Sequence, residues 1–125
     1  MLMGLAIPLL GYAQVQEGEI REEGDTIVRY DILEMAKNLT SCAAYYGVTE
    51  QPEHSTAFTE EAKWLFMVDA AQTEEETATW VAGAYAHYHG MWHDIKIEDT
   101  FEALQALETQ RRECYNLGVA KKIKL

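Results

Sequence analysis

The sequence predicts an all-α protein, and three observations carry that expectation. Apolar residues recur at steps of three and four over long stretches, capping signatures precede those stretches, and alternating β-branched runs and Asn-Gly hairpin turns are missing from the sequence. The expected architecture is a small bundle of three long helices and one shorter one. A length of 125 residues with 48% hydrophobic content suits one core and one domain.

The chain opens on an uncharged stretch, since no Asp, Glu, Lys, Arg or His precedes Glu17. Residues 1–13 read MLMGLAIPLLGYA and end small-x-small at Gly11, Tyr12 and Ala13, the form of a secretory signal cut after Ala13. A basic residue ahead of the apolar run is lacking, so the pattern departs from the usual signal in that one part. Residues 14–24 follow as an acidic leader with Glu17, Glu19, Glu22 and Glu23 against Arg21. The predicted bundle covers residues 25–118, and residues 119–125 form a basic tail. The segment 1–13 places the mature protein in a secreted or periplasmic compartment, and no apolar run reaches the roughly 20 residues of a membrane-spanning helix.

The first helix is expected from Asp25 to Gly47. Val28, Ile32, Met35, Ala36, Leu39, Cys42, Ala43 and Tyr46 form its stripe, and Gly47 serves as the left-handed closing residue. Val48 to Phe58, carrying Pro52, reads as a connection. Thr59 then caps a shorter helix through Gln72 that buries Ala62, Leu65, Phe66 and Ala70, with Glu60 and Glu61 at its positive end. Thr73 and Glu76 form a capping box for a third helix with Thr77, Trp80, Val81, Ala84 and Tyr88 inward, and Gly90 is the expected stop. A fourth helix is expected from Asp99, capped with Glu102, to Gly118, with Phe101, Leu104, Leu107, Cys114 and Tyr115 facing inward.

Cys42 and Cys114 both fall on inward stripes. In an oxidising compartment they pair as a disulfide rather than remain buried free thiols. Both lie toward the C-terminal ends of their predicted helices, so pairing in a flush bundle requires helices one and four to be parallel. Val48 to Phe58, or Gly90 to Glu98, would then cross over.

Three of the four histidines lie in one short segment, and a metal site is the sharp reading of His87, His89, His93 and Asp94, with zinc or copper as the ion. Two features oppose it. His87 sits about 160° around a helix from His89, and Gly90 interrupts the i, i+4 spacing of His89 and His93. The expectation is therefore no cofactor, with metal binding by this segment as the alternative. Tyr45, Tyr85 and Trp92 fall off the main stripes and are the candidate partner-binding residues, because exposed Tyr and Trp favour protein interfaces.

Charge narrows the partner class. Lys and Arg number 10 against 21 Asp and Glu, a formal net charge of −11, which opposes nucleic-acid binding. Residues 111–125 hold half of the basic side chains: Arg111, Arg112, Lys121, Lys122 and Lys124. Such a layout suits a basic partner on the body of the bundle, or self-association of tail against body. No nucleophile elbow, phosphate loop, H-E-x-x-H, C-x-x-C-H or triad spacing is present in the sequence. The expected function is a secreted or periplasmic helical interaction module that binds a protein partner and is not an enzyme.

Overall fold

The computed structural model describes residues 29–125. The predicted signal 1–13, the acidic leader 14–24 and the predicted helix start at Asp25 lie outside that range. Among the described residues the fold is all-α, with α1 at Tyr30–Val48, α2 at Pro52–Trp64, α3 at Glu74–Glu98 and α4 at Phe101–Ala120. A π-helical turn, Leu65–Asp69, continues α2. No helix among these is long and apolar enough to cross a membrane.

α1 is the central element, packed on α2 and α3 and crossed by α4. Its stripe is built from Leu33, Ala36, Leu39, Cys42 and Ala43, all buried, and the small alanines let the neighbouring helices approach closely. Thr40 is also enclosed, and its hydroxyl donates to the Ala36 carbonyl at 2.7 Å, so that buried polar atom is satisfied within the helix. On α2, Ser55 donates to the Ala43 carbonyl at 2.7 Å, tying the two helices through a backbone acceptor. Phe58, Ala62, Leu65, Phe66 and Ala70 fill the space below α1.

The helix ends differ from the sequence expectation in a consistent way. Gly47, Gly90 and Gly118 all lie inside helices, whereas the left-handed residues are Glu50, Ala71, Asp99 and Lys122. Two ends close with the paired bonds of a Schellman motif. The Gln51 and Glu50 amides donate to the Tyr46 and Gly47 carbonyls, and the Ile123 and Lys122 amides donate to those of Gly118 and Val119. Gly47 has a different use: a Cβ there would strike the Tyr85 hydroxyl, so glycine permits the close approach of α3.

Helix starts shift as well. Pro52 opens α2, where its missing amide and fixed φ suit the first turn, so Val48 to Phe58 is not a connection. Thr59 is interior to α2, its hydroxyl donating to the Ser55 carbonyl at 2.9 Å. The capping box of Thr73 and Glu76 forms as expected, with bonds of 3.0 and 2.8 Å. At α4 the cap is Thr100, which accepts from the Ala103 amide at 3.1 Å, while Asp99 ends α3.

Cys42 and Cys114 form a disulfide, with Cα atoms 5.5 Å apart. The crossover and the parallel pairing inferred from that bond are absent. Three residues join α1 to α2, four join the π turn to α3, and two join α3 to α4. Stagger brings the cysteines together instead. Because α3 continues through Gly90 to Glu98, α4 starts beyond the C-terminus of α1, where Lys96 donates to the Val48 carbonyl at 3.0 Å. From Phe101 to Cys114 the helix then travels about 20 Å back, reaching the level of Cys42 while running counter to α1.

Candidate functional site

The three candidate partner-binding residues do not form one solvent-facing surface: Tyr45 and Trp92 are enclosed, whereas Tyr85 is half-buried and lines one end of a groove between α2 and α3. Tyr45 and Trp92 are buried, with ring centroids 6.0 Å apart and nearly perpendicular planes. The Trp92 indole donates to the Ser41 hydroxyl at 3.1 Å, so its one polar atom is satisfied inside. Burial raises the Tyr45, Tyr46 and Tyr88 phenols above their ordinary value. Tyr45 and Trp92 fall off the main stripes yet are buried because α1 is enclosed on more than one side. A single apolar stripe underestimates the core of a central helix. Tyr85 is half-buried against α1, its hydroxyl 3.5 Å from that of Ser55.

The histidine segment is helical throughout, so His89 and His93 do share a face, contrary to the expected break at Gly90. His89 stacks on the Tyr85 ring at 5.7 Å, while His93 lies 3.8 Å from Asp94. His87 packs edge-on against Tyr88 at 5.1 Å. Among the described residues no three His, Cys, Asp or Glu side chains gather in a metal-holding arrangement.

A different feature stands out, a groove along the seam of α2 and α3. Two hollows of about 680 and 570 Å³ share Glu60, Lys63 and Ala78 and form one continuous trough from Met67 to Tyr85. Ala57, Ala78 and Val81 contribute its apolar floor. Trp64 and Met67 stand at one end, 53% and 41% exposed, beside the equally exposed Val68. The π turn explains their placement. The Ala70 amide bonds the Leu65 carbonyl at 3.3 Å, an i to i+5 closure that adds one residue to the turn. Leu65, Phe66 and Ala70 thereby keep their places in the core, and Met67 and Val68 are turned outward.

The groove also holds an unpaired polar atom. Thr77 lines it and is 1% exposed, yet its hydroxyl has no hydrogen-bond partner among the described residues. One turn further along α3, the Trp80 indole nitrogen is likewise unpaired, its ring packed edge-on against Phe66 at 4.6 Å. Around the rim are Glu60, Glu61 and Glu74, with Lys63 3.9 Å from Glu60 and Lys121 3.9 Å from Glu61. The trough is thus apolar below and acidic above, with the Thr77 hydroxyl enclosed beneath its floor.

Sequence reasoning missed Trp64, Met67 and Val68, although the run Trp64-Leu65-Phe66-Met67-Val68 carried a signal. Five large apolar residues in succession exceed what one helix face can bury. No protein-family model matches the chain, and neither a curated protein nor a solved structure does.

Proposed function

We propose that this chain is an exported, disulfide-stapled helical interaction module without catalytic chemistry. Its α2–α3 groove receives a basic, amphipathic segment of a protein partner. The observation that carries this reading is the groove itself, ended by the exposed Trp64 and Met67 and edged by Glu60, Glu61 and Glu74. Exposed Trp and Met are enriched where proteins meet, and the three rim carboxylates, held by only two cations, Lys63 and Lys121, favour a cationic partner.

Export is supported by the apolar segment 1–13 together with the disulfide, since bonds of this kind persist in oxidising compartments. The protein purified from culture medium or periplasm is expected to begin at Gln14 with Cys42 and Cys114 joined, as read by mass spectrometry. A full-length, reduced chain in the cytosol would contradict export. The binding claim is tested with a helical peptide of leucine and lysine: Trp64→Glu should weaken its binding at least about tenfold. Unchanged affinity in that variant would remove the groove from the reading.

A further inference from the structure

α4 packs Leu107 and Leu117 on the core but leaves several other large residues outward. Ala103, Cys114 and Gly118 are buried against the bundle, whereas Phe101 is 70% exposed, and Leu104, Tyr115 and Val119 are each more than half exposed. On a helical wheel these four outward residues fall within about 60° of one another, a single outer stripe four to five turns long. Glu108, Arg111 and Arg112 occupy its middle, with Arg111 donating twice to the Glu108 carboxylate at 2.6 and 3.0 Å. Arg112 lies 4.0 Å from the same carboxylate. Those bonds hold the Glu108 carboxyl below its ordinary range.

The stripe is symmetric about its own centre. Phe101 and Val119 stand equally far on either side of Gln110, and so do Glu108 and Arg112. Leu104 and Tyr115 are equidistant from the point between Thr109 and Gln110, as are Glu108 and Arg111. Reversing the helix end for end therefore places apolar on apolar and carboxylate on guanidinium. We propose that this face pairs antiparallel with α4 of a second copy of the chain. Such a two-fold contact is self-complementary, each residue meeting its mirror position in the other copy.

Phe101 then meets the second copy's Val119, and Leu104 meets its Tyr115. The two Glu108–Arg111–Arg112 clusters join across the axis. Charge layout favours this occupant over a foreign one. The body of the chain is acidic, and α4 with its tail is the one stretch rich in cations. At physiological salt, charges more than about 8 Å apart are largely screened, so repulsion between the two acidic bodies fades while the central ion pairs persist.

No residue of this face lines the α2–α3 groove, so the pairing and the groove reading stand or fall separately. Sedimentation equilibrium from about 10 μM to 1 mM tests it. The natural chain is expected to dimerise in that range. E108R alone sets like charges at the axis, and so does R111E/R112E alone. Each should weaken dimerisation at least about tenfold. Mixing the two variants sets the guanidinium introduced by E108R in one chain against the carboxylates introduced by R111E/R112E in the other. A mixed dimer should then return, which also shows that both variants fold. A natural chain that stays monomeric to about 1 mM would overturn the proposal. So would an equimolar mixture that stays monomeric, or single variants that dimerise as the natural chain does.

Discussion

Thr77 isolates the cost of one unpaired polar atom at a single side chain. Its methyl packs in the core while its hydroxyl is enclosed without a partner, so the isosteric Thr77→Val removes an unmet hydrogen bond and leaves the packing in place. The variant should be more stable by about 1 kcal/mol, a rise in melting temperature of roughly 4–8 °C for a domain of this size. Thermal melts measure the effect. A variant that loses stability would show that the hydroxyl already has a partner in solution. At this scale the sequence was legible for Cys42, Cys114, Thr73 and Glu76, whose chemistry is local or pairwise. It was not legible for Tyr45 and Trp92. Their burial depends on α1 being surrounded and on a hydroxyl, Ser41, supplied from 51 positions away.

Helix interiors were legible and helix ends were not. The stripes of α1 and α3 were visible as periodicity, and the capping box before α3 appeared where the sequence placed it. Glycine misled three times, because closure here rests on Glu50, Ala71, Asp99 and Lys122 in left-handed backbone. A favourable network of end bonds can hold a non-glycine residue there at a cost of about 1–3 kcal/mol. Gly90 allows a direct check. It lies within α3, and a Cβ built there meets nothing within 4 Å, so Gly90→Ala should stabilise the protein by about 0.5–1 kcal/mol through reduced backbone entropy. Chemical denaturation measures this. Destabilisation by that substitution would restore the helix stop that the sequence suggested. α4 teaches the complementary lesson: periodicity identifies an apolar face, but Phe101, Leu104 and Tyr115 show that the face need not point inward.

For the molecule as a whole, the disulfide and the helical class were legible, whereas the path between the cysteines was not. A flush bundle forbids a bond between antiparallel α1 and α4, but the overhang of α3 past α1 shifts α4 along its axis and permits it. The bond closes a loop of 72 positions, which stabilises a fold by roughly 4 kcal/mol in the chain-entropy treatment, a large share of the net stability of a small domain. That staple frees the surface from having to bury every apolar residue. Two faces exploit the freedom: the outer stripe of α4 and the Trp64–Met67 end of the groove. Binding at the groove is tested most directly by amide and methyl chemical shifts during titration with the leucine–lysine helical peptide. Saturable shifts should concentrate at Trp64, Met67, Thr77 and Ala78 and be lost in Trp64→Glu. Shifts scattered over the acidic surface and unaltered by that substitution would contradict a partner-binding groove.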